Sequence, residues 1–233
     1  ERVWQSLRVA GRDYPLAERV FADPLRSAKP QNRPWKIALV RTHTWQYAED
    51  YAQQALLTWA SKLAEDERFQ IEEVELPTSL NNAHQVHGVI YDRTLHYYFQ
   101  EEQKRSEFVS PVMNQILARG KEVPNEQFHQ ALAEQERLAA EMDQFFSQYD
   151  ALISLSTSGQ APPRDADEKP DPALIWTLTH LPVVAAPAFI SPEGKPFGMQ
   201  LVARRYNDLQ LFRLVDDLCA AEYLPKHQNP VLA

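Results

Sequence analysis

Short apolar runs and helical periods alternate along the chain, and their order predicts strands that alternate with helices. The run Ile37–Val40 is typical of a buried strand. Over Tyr47–Leu63 an aromatic or apolar residue recurs every four positions, which indicates the buried face of a helix, with Thr44 as its predicted cap. The apolar positions of Ile71–Leu76 predict a second strand. Residues 35–77 therefore form a predicted βαβ unit with parallel strands.

Residues 83–148 have a helical pattern almost throughout. Ser110-Pro111 is typical of a helix start, because serine caps the first turn and proline is tolerated at the first helical position. Asn125 is the predicted cap of the next helix. Two apolar faces, one before Ser110 and one after Asn125, are predicted to point inward: Val86, Ile90 and Tyr97, and Phe128, Leu132, Leu138, Met142, Phe145 and Tyr149.

Residues 151–224 are predicted to contain three strands and a closing helix. Ala151–Leu155 is apolar except for Ser154 and is a candidate buried strand, and a loop rich in Pro, Ser and Asp follows it. The segments 183–190 and 197–203 are apolar, and their short connection favours an antiparallel hairpin. Asn207 opens the closing helix.

Together these elements predict an α/β fold with a mixed β-sheet flanked by helices, because parallel strands and a hairpin share one chain. The length fits a single domain over 1–233. Residues 1–34 form an irregular lead-in that holds a short helix over Val3–Val9, which ends at Gly11.

Composition excludes several classes of site. The chain has 6 glycines, and they are too scattered for a phosphate loop, a dinucleotide fingerprint or a Gly-x-Ser-x-Gly elbow. A net charge of -8 disfavours nucleic acid or an anionic membrane as the partner. Cys219 is the single cysteine, which excludes an intrachain disulfide and suits a reducing, cytoplasmic location. No apolar stretch approaches the roughly 20 residues that a membrane span needs.

The histidines predict no metal site, and no other motif predicts a cofactor. His84 and His87 share a helix face, but His96 lies too far along the helix to join them, and a metal ion needs three or four converging ligands. Both are interpreted as ordinary helix-surface histidines. His180 lies between a predicted helix and a strand that enters the sheet, where pocket residues often lie. The alternative for His180 is a cation near a helix C-terminus.

Four segments in the second half of the chain resemble motifs of the amidase signature family. Asp150–Pro162 is similar to the D-x-L-(I/L)-x-P-(S/T)…A-P segment, and Leu181–Pro187 is similar to the G-x-P-x-x-x-x-P strand. Gly194–Arg204 resembles the G-x-P-x-G-x-Q-(L/I)-V-(A/G) hairpin, and Asn207–Phe212 resembles the opening of the last helix. The helix and stop over Trp4–Gly11 and the βαβ unit also follow the order of this family.

The resemblance implies an amidase that cleaves small-molecule amides through an acyl-enzyme. Enzymes of this family use a Ser, a second Ser in a cis peptide and a Lys, all in their N-terminal half. No segment of this chain matches that region. The resemblance therefore implies the C-terminal portion of an amidase, with no catalytic residue and no activity alone. By the same analogy, the residues expected to face the substrate are Trp176, Thr179, His180 and Tyr91.

Two positions depart from the family pattern: His180 replaces a glycine, and the usual proline after the strand is replaced near Ser156. An amidotransferase A-type subunit is a disfavoured alternative, because Thr177–Pro182 lacks the Asn and Gly of the N-L-x-G-L-P segment. Another alternative is a non-catalytic α/β module that binds a ligand or a protein. Such a module would need to cover its exposed sheet edge, for which a homodimer is one arrangement.

Overall fold

The computed structural model describes residues 32–164 and 168–225, together with Val3, Ser6, Pro30 and Ala166. Apart from Val3 and Ser6, the predicted helix over Val3–Val9 lies outside the described residues, as do its stop at Gly11 and most of the lead-in. The described part of the chain contains a sheet of 5 strands in the order β2-β1-β3-β5-β4, whose bounds are β1 Trp35–Val40, β2 Phe69–Val74, β3 Ala151–Leu155, β4 Val183–Ile190 and β5 Pro196–Val202.

The sheet is mixed, as the sequence predicted. β1 pairs in parallel with β2 and with β3, so that Ile37 lies opposite Ile71 on one side and opposite Ala151 on the other. β5 is antiparallel to β3 and to β4, and its hairpin with β4 has an irregular register between Ala186 and Phe189. The predictions of a βαβ unit, a hairpin and an α/β fold are therefore confirmed.

Helices cover both faces of the sheet, and each face packs into a core of its own. The side chains of β1 alternate between these two cores. Ile37 and Leu39 face one core, and Ala38 and Val40 face the other. The helices of the described residues are α1 Asp50–Ala64, α2 Ala83–Tyr98, α3 Gln100–Gln103, α4 Pro111–Glu122, α5 Asn125–Phe145, α6 Leu174–Leu178 and α7 Asp208–Ala220. α1 and α7 pack on the first core, and α2, α5 and α6 pack on the second.

The connections that follow β1 and β3 lead to opposite sides of the sheet, and this creates a crevice between the carboxyl ends of these two strands. The chain leaves β1, passes through α1 and returns as β2 on one side of β1. From β2 it crosses the opposite face through α2 to α5 and returns as β3 on the other side of β1. The loops after β1 and β3 therefore leave the sheet in opposite directions. In open α/β sheets, ligands bind at such a switch point, outside the carboxyl ends of the strands.

Three local predictions were wrong. Thr44 does not cap α1, because a 3-10 turn over Trp45–Tyr47 separates them and the α-helix begins only at Asp50. Asn125 is the first residue of α5 and not its cap, which is Pro124. Tyr97 is 66% exposed, because the second half of α2 extends past the core. The predicted start at Ser110 is confirmed, since its Oγ accepts a hydrogen bond from the N–H of Met113 at 3.2 Å.

The buried face of α1 lies one position beyond the predicted one. Ala52, Leu56 and Ala60 are buried together with the predicted Leu63, whereas the large aromatic residues stand at the margin. Trp59 is half-buried there and its Nε1–H donates to the carbonyl of Tyr223 at 2.9 Å. Small residues let the helix approach the sheet closely, while an aromatic side chain with a polar end finds its hydrogen-bond partner at the edge.

Candidate functional site

A small pocket of about 10 Å³, the space that about one water molecule needs, lies at the switch point between the carboxyl ends of β1 and β3. The loop after β1 contributes Thr42 and Thr44, and the loop after β3 contributes Thr157 and Ser158. We call this the switch-point pocket. Its lining among the described residues is Thr42, Thr44, Trp45, Ala48, Leu155, Thr157, Ser158, Pro170 and Pro172. These residues present hydroxyls and apolar groups, and none of them carries a charged side chain.

The hydroxyls of the pocket are held in place by short bonds. Thr42 and Thr44 are buried, and their Oγ1 atoms are 2.8 Å apart. Because one hydroxyl donates to the other, the second hydroxyl hydrogen remains available for a further acceptor. The Thr157 hydroxyl donates to the carbonyl of Gly159 at 2.7 Å. The pocket can therefore present both hydrogen-bond donors and acceptors to a small neutral group.

The loop after β3 is fastened to the start of α1. The N–H of Glu49 donates to the carbonyl of Ser158 at 2.7 Å, and its carboxylate pairs with Lys169 at 2.6 Å. The Tyr51 hydroxyl accepts the N–H of Gln160 at 2.8 Å. These contacts hold the loop over the carboxyl edge of the sheet.

A second, wider cleft of about 690 Å³ opens beside the pocket, toward β2. Arg41 and His43 line it from the β1 loop, and Glu73 and Glu75 line it from β2 and the residue that follows. Arg41 pairs with Glu73 at 2.6 Å and its guanidinium lies 5.4 Å from the ring centre of Trp45. This cleft is charged, in contrast to the switch-point pocket.

A histidine pair joins the β1 loop to α2. His43 Nε2 lies 2.8 Å from His84 Nδ1, and His84 Nε2 lies 3.0 Å from the carbonyl oxygen of Asp171. Burial first, and then the neighbouring His84, lower the pKa of His43 below its ordinary value. His87 follows on the same helix, stacks on Tyr91 at 5.3 Å between ring centres, and has its pKa lowered mainly by burial.

The interpretation of His84 as an ordinary surface histidine was wrong, because it bonds two other segments of the chain. His43 was missed, since its partner lies 41 residues away and no periodicity links them. Its position directly after the first strand of the βαβ unit was the available signal. Among the described residues, no three His, Cys, Asp or Glu side chains are grouped so as to hold a metal ion.

The four residues predicted to face the substrate are separated in the structure. Trp176 is 0% exposed in the second core, and its Nε1–H has no hydrogen-bond partner among the described residues. Thr179 is also buried, and its hydroxyl donates to the carbonyl of Ile175 at 2.7 Å. His180 is exposed with a φ of 58°, and Tyr91 is 43% exposed beside His87. The described lining of the switch-point pocket includes none of the four, and their contact with substrate stays a prediction.

No helix in the described part of the chain combines the length and the apolar character that a membrane crossing requires.

Comparisons with solved structures find the same fold in amidases. A structure described as an amidase aligns with a TM-score of 0.73 at 20% identity, over 84% of this chain and 48% of its own. An inhibitor-bound vestigial complex, described as revealing the origins of an s-triazine catabolic enzyme, aligns with a TM-score of 0.71 at 19% identity, over 86% and 46%. The A-type subunit of the glutamyl-tRNA(Gln) amidotransferase from Thermotoga maritima gives 0.58 at 21%, over 78% and 41%.

The chain therefore spans about half the length of the solved structures that it resembles. No curated protein matches its sequence. A family model described as Amidase matches residues 11–212, which include all five strands and the start of α7. This match covers most of the chain and agrees with the four motifs and the mixed sheet. The chain belongs to the amidase signature family.

Proposed function

We propose that this chain is the C-terminal portion of an amidase that hydrolyses small-molecule carboxamides through an acyl-enzyme. In this proposal the chain contributes part of the sheet and one wall of the substrate channel, and it contributes no catalytic residue. The observation that carries the proposal is the switch-point pocket, which lies within the segment that the family model matches. The proposal requires no metal ion and no cofactor.

The chemistry of the pocket suits a neutral carboxamide. An amide group offers both a donor and an acceptor, and the hydroxyls of Thr42 and Thr44 can serve both. Trp45 and Leu155 add apolar surface beside these hydroxyls. Because the pocket itself has room for about one water molecule, the rest of the substrate is proposed to lie outside it, along the channel wall. A charged ligand would find no counter-ion among the described lining residues.

The described hydroxyls of the pocket lack the group that would activate them for acyl transfer. A serine or threonine nucleophile needs a base within hydrogen-bond distance. Thr42 and Thr44 bond each other, and Thr157 bonds a backbone carbonyl. Lys169, which is next to the pocket residue Pro170, is engaged with Glu49. These contacts support the proposal that the chain alone is inactive.

The four residues that the resemblance implies enter this proposal in two roles. Tyr91 and His180 are exposed and are proposed to contact the substrate directly. Trp176 and Thr179 are buried and are proposed to support the wall from within the core.

The test is a titration of the homogeneous chain with propionamide and with benzamide, followed by 15N NMR and by an assay of ammonia release. We expect shifts at Thr42, Thr157 and Ser158 and no ammonia. T44V keeps the shape of the side chain but removes its hydroxyl, so it should weaken binding several-fold. T58V is the matched control on the exposed face of α1. Ammonia release would contradict the absence of catalytic residues, and equal binding by T44V would contradict the role of the pocket.

A non-catalytic interaction module is the second candidate, and the exposed edge of the sheet favours it. Val183 and Ile190 on the edge strand β4 are 38% and 67% exposed. An unpaired edge with apolar residues tends to pair with another chain. A homodimer in light scattering, together with no shift on adding an amide, would favour this module. Co-purification with other subunits would favour an amidotransferase A-type subunit.

The proposed partner is thus a small-molecule amide, with no nucleic acid and no membrane, given the net charge of -8. The proposed location is the cytoplasm, because Cys219 is the single cysteine of the chain and a reducing compartment suits it.

A further inference from the structure

His84 connects two walls of the switch-point pocket from outside the pocket itself. One bond goes to His43, whose neighbours in sequence, Thr42 and Thr44, both line the pocket. The other bond goes to the carbonyl of Asp171, whose neighbours in sequence, Pro170 and Pro172, also line the pocket. The single imidazole of His84 therefore links the wall that follows β1 to the wall that precedes α6.

The segment from Lys169 to Ala173 makes few other hydrogen bonds or ion pairs with described residues that could hold the segment in place. The two prolines that flank Asp171 have no N–H to donate. The carboxylate of Asp171 accepts the N–H of Ala173 at 2.8 Å, which is a local turn and not a link to another element. Lys169 reaches Glu49, but this pair is exposed and contributes little. Among the hydrogen bonds of the described residues, the bond from His84 joins this wall directly to α2, while Ala173 and α6 pack in the second core.

The carbonyl of Asp171 fixes the arrangement of protons in the histidine pair. A carbonyl only accepts, so Nε2 of His84 must carry a proton. In the neutral pair, His84 Nδ1 then accepts the proton on His43 Nε2. A first added proton is compatible with both bonds. If Nδ1 of His84 takes it up, His43 changes to the tautomer with its proton on Nδ1, and its Nε2 then accepts from His84. A second proton places two N–H groups and two positive charges against each other at 2.8 Å.

We propose that His43 and His84 form a proton-dependent latch, which holds the two walls of the switch-point pocket together and releases them when both imidazoles are protonated. The proposal concerns only this chain and does not depend on the proposed amidase activity.

The charges around the pair are of both signs. The carboxylate of Asp171 accepts the N–H of Ala173 and keeps its negative charge, and Asp92 of α2 pairs with Arg119 of α4 at 2.7 Å. On the cleft side, Arg41 pairs with Glu73, which leaves Glu75 as the remaining carboxylate of the described cleft lining. His87, one turn along α2, adds a further positive charge when it is protonated.

The direction of the pH effect follows from the lowered pKa of His43. A histidine whose pKa is lower in the folded state than its ordinary value of about 6.5 contributes stability when it is neutral. That contribution is fully present above this ordinary value and is lost as the pH falls through the lowered pKa. The latch is therefore closed at neutral pH and opens on acidification.

Hydrogen exchange of the whole chain, followed by mass spectrometry at pH 7.5 and pH 5 and corrected for intrinsic rates, tests the latch. We expect the protection of segments 41–48 and 168–175 to fall at least fivefold at pH 5, while β3 stays protected. H43Q keeps a donor and an acceptor but cannot take up a proton, so its protection should not depend on pH. H84F removes both bonds and should leave both segments poorly protected at either pH.

H129Q, which replaces an exposed histidine of α5, is the matched control and should behave like the wild type. Nitrogen-15 spectra of the imidazoles at pH 7.5 should show protons on Nε2 of both His43 and His84. The proposal is overturned if the wild-type protection does not change with pH, if H43Q loses protection to the same extent, or if H84F retains it.

Discussion

Gly120 of α4 lies directly against Asp92 of α2, so that a β-carbon on residue 120 would fall 1.9 Å from the carbonyl oxygen of Asp92. The two helices approach each other this closely because glycine leaves the space open. The same pair of helices is also joined by the ion pair between Asp92 and Arg119. The close packing of α4 on α2 therefore depends on residue 120 having no β-carbon.

We predict that G120A destabilises the protein although alanine favours a helix. The gain in helix propensity is about 1 kcal/mol. The obstacle is a backbone carbonyl, which cannot rotate away, and overpacking of this kind costs about 1–3 kcal/mol. Urea unfolding should show a lower midpoint. G88A on α2 is the control, because no described atom beyond its chain neighbours and the backbone of its own helix lies within 4 Å of the added carbon, and it should raise the midpoint. Changes of the same sign in both variants would contradict the close packing.

We predict that H180G stabilises the protein. His180 has a φ of 58° at the end of α6, where the N–H of Leu181 bonds the carbonyl of Trp176 at 3.0 Å. This is a helix end in which glycine is preferred, because the left-handed conformation costs other residues about 1–2 kcal/mol. Part of the gain is lost to the greater freedom of glycine in the unfolded chain. We expect a net gain of about 0.5–1 kcal/mol in thermal or urea unfolding.

The control for this prediction is H129G in α5, where the backbone is helical and the side chain is exposed. That change should destabilise the protein by about 0.3–0.5 kcal/mol, the difference in helix propensity between histidine and glycine. A loss of stability in H180G would show that the side chain of His180 makes a contact worth more than the conformational cost.

We predict that D208N stabilises the protein at neutral pH and not in acid. Burial raises the pKa of Asp208 above its ordinary value, against a smaller opposing effect of its own backbone N–H. The folded state therefore disfavours the ionised carboxylate, and the residue reduces stability as the pH rises through and above its ordinary pKa of about 3.9. The unfolding midpoints of D208N and the wild type should coincide near pH 3 and separate toward pH 7.

D216N, on the same helix but with an exposed carboxylate, is the comparison for D208N. Its difference from the wild type should change little over this range, because exposed charges contribute weakly. A gain in D208N that is the same at every pH would argue against the titration of Asp208 as the cause.

The elements of the sheet could be predicted from the sequence because each strand has a local pattern. Ala151–Leu155 and Val183–Ile190 coincide with the predicted bounds, since a short, mainly apolar run indicates a strand without any knowledge of its neighbours. The face of α1 was predicted one position away, because Tyr51 and Trp59 look apolar in a pattern although their polar ends reach partners at the edge of the core.

The site could be predicted much less well, because it is made by contacts between distant segments. The pair of His43 and His84 and the bond to Asp171 depend on how three segments meet. The family could be inferred from ordered motifs, but a motif does not show how far a side chain is buried. Trp176 illustrates this, since its sequence position suggests a channel and the structure places it fully in the core.

The position of β1 between β2 and β3 has a consequence for the order of folding. Pairing β1 with β2 closes a loop of about 35 residues, whereas pairing β1 with β3 closes a loop of about 110 residues. Contacts between near segments form faster than contacts between distant ones. The βαβ unit is therefore expected to form first and to present one bare edge of β1 as the template on which β3, and then the hairpin, assemble.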